Sequence, residues 1–438
     1  MSGKQKINLV WLRRDLRISD NTALIKACED GLPVLLLFVF DTQILDKLEK
    51  PRDLRVQFIH QSLQNIDQKL KEFGSSIFYF YGKPSEAITS VLSSFDVQGV
   101  FANHDYDPYA IERDAFICQM LEQKGIHFKT FKDHVIFEKL EVSKDDGTPY
   151  TVFTPYSRKW KLKYAENLPK PVDFLFKADM FLGWDGMVIP TLESMGFIEE
   201  KWTFPSSESD KNIIQSYTQN RDFPAINGTS KLGLHLRFGT ISIRELAKMA
   251  FNTNETYLNE LIWRDFYHMI LANFPHIGRG ISFKKEYDAI IWRNDEDEFN
   301  RWCQGQTGYP IVDAGMRELR STGFMHNRVR MITASFLTKH LLIDWRWGEA
   351  WFASQLLDYD LASNNGGWQW AAGSGCDAAP YFRVFNPRLQ TEKFDKKGEY
   401  IRKWVPEFDS LDYVQPVVNH EFARKRCLET FAKYLKRD

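Results

Sequence analysis

No excess charge of either sign marks this chain: 57 Lys and Arg stand against 58 Asp and Glu, a net charge of -1. That excludes a protein holding nucleic acid or an acidic membrane by its bulk field, so any contact with a polyanion must use a local patch. Cysteine is scarce. The five, Cys28, Cys118, Cys303, Cys376 and Cys427, are odd in number and scattered, with no CxxC pair or neighbouring histidine pattern. A disulfide scaffold and a metal site are thereby excluded, and the thiols read as reduced and cytosolic. Long apolar runs are also missing. The longest, Val34 to Phe40, is far too short to cross a bilayer, and Lys4 and Lys6 lead directly into a strand pattern. With neither export signal nor span, the expected location is the cytoplasm. No GxGxxG turn follows the first strand pattern, which argues against a nucleotide-dependent flavin oxidoreductase. Repeats and low-complexity segments are absent too. What is abundant is aromatic: 15% of residues, with 13 Trp, most of them beyond Trp263.

Apolar residues at 43% and charged residues at 26% describe an ordinary globular protein, and 438 residues exceed what one core usually organises. Two domains are expected. Over residues 1–132, short apolar runs (Ile7 to Leu12, Val34 to Phe40, Ser76 to Tyr81, Gly99 to Ala102) alternate with segments of helical period, which predicts a Rossmann-like parallel sheet with crossover helices. Residues 133–205 lose that pattern and become rich in Gly, Pro and aromatics, including Asp145-Asp146-Gly147-Thr148-Pro149, so they read as an interdomain connector. Residues 206–438 carry almost no strand signal. Leu258 to Ala272 and Val312 to Lys339 repeat apolar residues at helical spacing, which predicts an all-helical second domain.

Several blocks in that half are too particular to be core pattern: Arg221-Asp222-Phe223-Pro224, Gly228-Thr229-Ser230-Lys231-Leu232, Asn259-Glu260-Leu261-Ile262-Trp263-Arg264, Thr307-Gly308-Tyr309-Pro310-Ile311-Val312-Asp313-Ala314, Met325-His326-Asn327-Arg328-Val329-Arg330-Met331 and Asn364-Asn365-Gly366-Gly367-Trp368-Gln369-Trp370. In this order, together with Trp11-Leu12-Arg13-Arg14-Asp15-Leu16-Arg17, they resemble the photolyase and cryptochrome family over nearly the whole chain, closest to the class I photolyases that split cyclobutane pyrimidine dimers.

The resemblance implies a helical domain enclosing FAD and an N-terminal domain able to hold an antenna chromophore of unknown identity. Aligning Asn103 to Ala110 puts Ala110 where folate-binding relatives place Glu. For FAD it implies Tyr217, Thr229, Ser230, Lys231, Leu232, Gly233, Arg264, Asn327, Arg330, Asp358, Asp360 and Asn364. Gly233 stands where the family commonly has Ser. Thr229 and Ser230 precede an apolar helical run, where hydroxyls suit either a plain N-cap or a phosphate. Arg330 is the evident cation for one of the two carboxylates, as a structural ion pair or as a flavin contact. Asn364 faces the flavin N5 by resemblance, and an amide can both donate and accept there.

Glu260 and Trp263, three apart, share a helix face and put an acceptor beside a flat aromatic surface, which an extruded lesion requires. Resemblance adds Trp370, Met331 and Asn327 to that pocket, and gives Arg221, Arg328 and Arg383 to DNA phosphates. Trp263 and Trp370 also suit a helical core. Trp368, Trp345 and Trp292 fall on the family's electron relay, while Trp302, Trp347 and Trp351 read as packing. The implied activity is that of a deoxyribodipyrimidine photo-lyase. An electron passes from light-excited, fully reduced FAD to the dimer of UV-damaged DNA, the ring opens, and the electron returns. Glu260 and Asn364 are the catalytic candidates. No membrane or obligate protein partner is implied, and a monomer is expected. A cryptochrome-type photoreceptor is the rival, disfavoured because no long polar tail follows the helical pattern. A six-four photolyase is the other, disfavoured because only His326 stands where those proteins place a histidine pair.

Overall fold

The computed structural model describes residues 4–48 and 51–435. Its contacts divide the chain into two interleaved units, Met1–Glu138 with Asn167–Glu208 and Leu232–Met249, and Lys139–Glu166 with Ser209–Lys231 and Ala250–Asp438.

The first unit is built on one parallel sheet in the order β3-β2-β1-β4-β5, with β1 Lys6–Leu12, β2 Val34–Asp41, β3 Ile77–Gly82, β4 Asp96–Asn103 and β5 His127–Phe131. The apolar runs become its central strands because both faces of a parallel sheet are covered by crossover helices. All eight residues of β2 are buried, as are the last six of β1. The strand order reverses between β1 and β4, the usual position of a ligand crevice in a doubly wound sheet. The same unit holds a buried ionic network in which Asp133 accepts from Arg17 at 2.8 Å and Arg244 at 2.7 Å, and Asp20 pairs with Arg244 at 2.8 Å. The two arginines hold the Asp133 carboxyl down to about 2 against the opposing effect of burial.

Among the described residues all five strands lie before residue 132, and the second unit is helical, around a core that includes Trp302, Met316, Phe336, Leu337, Trp345 and Trp368. The expected three-part division gives way to the interleaved one. Part of the stretch expected as a connector is a 15-residue helix, Phe153–Asn167, which buries Tyr156, Trp160 and Tyr164 at four-residue spacing. The Trp160 indole N–H donates to the buried Asp265 at 2.9 Å, so this helix belongs mostly to the helical unit. Conversely, residues 232–249 group with the sheet unit. No helix among the described residues is long and apolar enough to cross a membrane.

Candidate functional site

Three helices of the second unit build the walls of a cavity of about 440 Å³. The first, Glu255–Asn273, starts at an Asn254 side chain that accepts from Tyr257 N and so supplies one of the free backbone donors. It presents Glu260, Trp263, Arg264 and Tyr267 on one face, at the three- and four-residue spacing of a helix stripe. The second, Asn327–Ser335, presents Asn327, Arg330, Met331 and Ala334 in the same way. The third, Leu361–Ala372, begins at Asp360, whose carboxylate accepts from Ser363 N at 3.1 Å, and presents Ser363, Asn364, Gly367 and Trp368. It can approach the first helix because residue 366 is glycine: a β-carbon there would lie 2.9 Å from Tyr267 Cγ and nearer still to two other ring atoms.

Several of the cavity's polar groups are already paired. Arg330 bridges both oxygens of Asp358, at 3.0 and 3.1 Å, and donates through Nε to the Met325 carbonyl at 2.7 Å. Asp360 divides its carboxylate between the helix cap and His268 Nε2 at 3.4 Å. The Asn364 amide nitrogen donates to Glu349 Oε1 at 3.0 Å and to the Glu349 carbonyl at 3.2 Å, which leaves its oxygen as the free acceptor. Burial pushes the Glu349 carboxyl up, and the Asn364 hydrogen bond opposes that rise. Glu260 pairs with Arg221, and burial raises its carboxyl more strongly than Arg221 lowers it. Arg328 donates to Asp222 at 2.7 Å and lies over the Phe394 ring at 4.3 Å.

Tyr217, Arg221, Thr229, Glu260, Trp263, Arg264, Asn327, Arg328, Arg330, Met331, Asp358, Asp360, Asn364, Trp368 and Trp370 all line this one cavity. The remaining candidates lie elsewhere. Ser230 shares a hydrogen bond with the Tyr257 hydroxyl at 2.9 Å, and Lys231 sits over the Phe324 ring at 5.5 Å. The helix after them, Gly233–Phe238, has Leu232 at its N-cap and no side-chain cap hydrogen bond, so the plain N-cap, one of the two readings of Thr229 and Ser230, is not formed. Leu232 and Gly233 fall in the other unit. Arg383 is exposed on the loop preceding the Pro387–Phe394 helix, beside Phe385. Trp345 is buried in the core, and Trp292 is half-buried against Phe431 at 5.9 Å.

Sequence reading missed four residues of consequence. Tyr267, one turn beyond Trp263, was within reach of the same spacing argument. Asp222 stood in a quoted block but was given no role. Glu349 left no signal, since only the fold brings it to Asn364. Phe153 fell in the presumed connector, yet its ring lies parallel to Trp263 at 3.7 Å with an interplanar angle of 4°.

Residues 257–412 match the family described as FAD binding domain of DNA photolyase, and residues 8–172 match DNA photolyase. A deoxyribodipyrimidine photo-lyase of Vibrio cholerae is 37% identical, covering 92% of this chain and 91% of its own. Among solved structures, the class III photolyase of Agrobacterium tumefaciens superposes with a TM-score of 0.85 at 33% identity, covering 100% of this chain and 99% of its own. A cryptochrome of Synechocystis superposes with a TM-score of 0.84 at 25% identity, covering 98% and 100% respectively.

Proposed function

This chain belongs to the photolyase and cryptochrome family, and from that premise we propose that it is a deoxyribodipyrimidine photo-lyase, splitting cyclobutane pyrimidine dimers in DNA with light and FAD. The observation that carries this reading is one cavity in which flavin-type polar contacts and a base-recognising set share the same walls.

The residues present suit FAD. Ala334, Phe352, Leu356 and Trp368 provide an apolar surface, while Thr229, Ser363, Asn364 and the Arg330–Asp358 pair provide donors and acceptors at fixed positions. Bound and fully reduced, FAD supplies the light-driven electron that opens the dimer and receives it back. The protein's part is position. Asn364 offers an oriented amide oxygen, fixed by Glu349, to the donor edge of the ring system. Glu260 is placed to accept from the edges of extruded bases, and Trp263 and Trp370 to stack on them. Asn327 and Met331 fill the same space, and Arg221, Arg328 and Arg383 are assigned to phosphates. Trp368, on the cavity wall, is the inner step of the relay that restores reduced FAD, with Trp345 and Trp292 behind it. All of these come from one chain, and the working species is taken as a monomer.

The geometry favours dimer splitting over six-four repair. His326, the single histidine at that place, is the N-cap of the Asn327–Ser335 helix: its Nδ1 accepts from Arg328 N at 3.2 Å, and burial lowers its pKa to about 4. It is neutral, and its Nδ1 is committed to the cap. The test is illumination of the chemically reduced protein with an oligonucleotide carrying a defined thymine cyclobutane dimer. Loss of dimer in light and not in the dark is expected. No loss, with FAD bound and reduced, overturns the reading in favour of a photoreceptor.

A further inference from the structure

Two consecutive residues, Arg221 and Asp222, reach two different walls of the cavity. They follow the short helix Tyr217–Asn220. Arg221 pairs with Glu260 on the Glu255–Asn273 helix, and Asp222 Oδ1 accepts from Arg328 on the Asn327–Ser335 helix, from Nη2 at 2.7 Å and Nε at 3.2 Å. Two cations and two carboxylates thus form crossed pairs at one wall of the cavity. All four side chains keep some contact with solvent, from 18% for Arg328 to 38% for Asp222, so an arriving ligand can exchange with either pair.

Three of the four have a part in the proposed reaction: Arg221 and Arg328 are assigned to phosphates, and Glu260 to extruded bases. Asp222 has none, and a carboxylate beside a polyanion site repels what the site must hold. The four groups also share one field. Burial pushes the Glu260 carboxyl up most strongly, Arg221 draws it down, Asp222 pushes it up and Arg328 draws it down. Consecutive Arg and Asp side chains can pair with each other, as Arg113 and Asp114 do at 2.9 Å elsewhere in this chain.

We propose that Asp222 is a positioning residue that couples capture of a DNA phosphate to the uncovering of Glu260. The proposal rests on dimer splitting in DNA as the activity of this site. Before DNA arrives, each cation is neutralised by its own carboxylate, and Glu260 is covered by Arg221. A backbone phosphate takes Arg328 and leaves Asp222 without its partner. The released carboxylate, one residue from Arg221, attracts that guanidinium. Arg221 then leaves Glu260, whose oxygens become free to accept from the edges of an extruded dimer. Two ion pairs are exchanged for two others, and the base contact is gained. With no charge at position 222, Arg221 stays on Glu260 and the lesion must break that pair unaided.

The test is equilibrium binding in the dark, over a range of salt, of the FAD-loaded full-length protein to one duplex with and without a defined thymine cyclobutane dimer. Wild type, Asp222→Asn, Arg221→Ala and the double variant are compared. Asn keeps the size of Asp and an acceptor oxygen for Arg328, so the fold is retained. Asp222→Asn should bind undamaged DNA about two- to fivefold more tightly, with a steeper salt dependence, because Arg328 has lost its charged competitor. Its preference for the dimer should fall by a similar factor. In the Arg221→Ala background the same replacement should leave the preference where it stands, since nothing covers Glu260 there. Equal tightening on both DNAs, or an equal loss of preference in the Arg221→Ala background, overturns the coupling while the dimer reading stands. A wild-type protein that holds FAD and binds both DNAs alike overturns the dimer reading and the coupling with it.

Discussion

Gly348→Ala adds one methyl at the place where Trp368, the proposed inner relay, is seated. The new carbon would lie 2.6 Å from Leu337 Cδ2 and inside the contact distance of two Trp368 ring atoms. Neither neighbour can withdraw freely, since Trp368 is 2% exposed and Leu337 0%. Overpacking of this kind costs about 1–3 kcal/mol, and two rigid neighbours place it near the upper end. The better helix propensity of alanine offsets about 1 kcal/mol. The net loss is about 2 kcal/mol, which at about 2–4 °C per kcal/mol for a unit of this size lowers Tm by about 4–8 °C. Trp368 is also displaced from its wall. Calorimetric melting and blue-light bleaching on one preparation should show a lower Tm together with slower photoreduction, while repair after dark chemical reduction stays near normal. A wild-type Tm with wild-type bleaching would falsify the close approach and the seat it defines.

Glu260→Ala should lower the repair yield per absorbed photon while leaving FAD bound, and an unchanged yield would remove Glu260 from the lesion contacts. Arg328→Ala and Arg383→Ala should each weaken binding to damaged and undamaged DNA alike and flatten its salt dependence; a loss confined to damaged DNA would place them in the lesion pocket instead. Phe153→Ala removes a stacked partner worth about 0.5–1.5 kcal/mol, so affinity for dimer-containing DNA should fall roughly two- to tenfold with undamaged DNA unaffected, and equal losses on both would refute the backing role. Glu349 has its carboxyl raised by burial, so between the ordinary glutamate range and that raised value the folded state holds more protons than the unfolded. Stability from this group therefore declines as pH rises through that window, and urea midpoints of Glu349→Gln should show a flatter slope there; an identical slope would mean the group does not titrate in it.

The strands that sequence made visible were those buried on both faces. Val34 to Phe40 has no polar interruption and could only be a central strand. β5 was missed because His127–Phe131 is an edge strand with no buried residue, and its composition reads as loop. The contacts group the chain differently from the sequence pattern, for a related reason. Glycine, proline and aromatics were taken as signs of irregular structure over 133–205, yet Tyr156, Trp160 and Tyr164 keep helical spacing and anchor a helix on Asp265. Pattern recorded which faces were apolar. It held no information about which unit a segment would join.

The cavity was legible as a set of residues and illegible as a set of partnerships. Helical spacing put Glu260 beside Trp263 and Asn327 beside Met331, and both pairs line the cavity. No spacing could show that Arg221 holds Glu260, or that Asp222 holds Arg328, because the partners come from a loop and two separate helices. These pairings change the energetics of the proposed reaction. A DNA phosphate arriving at Arg221 or Arg328 replaces an existing carboxylate partner, so each contact contributes the difference between two ion pairs and not a whole one. Selectivity for a lesion then falls to the aromatic groups. Trp263 is held by Phe153 at 3.7 Å, Phe266 at 5.6 Å and Tyr267 at 5.4 Å, so little side-chain freedom remains to be lost when a base stacks on it. On this reasoning the charged rim governs encounter with any DNA, and the clamped indole, with Glu260 released from Arg221, distinguishes the damaged base pair.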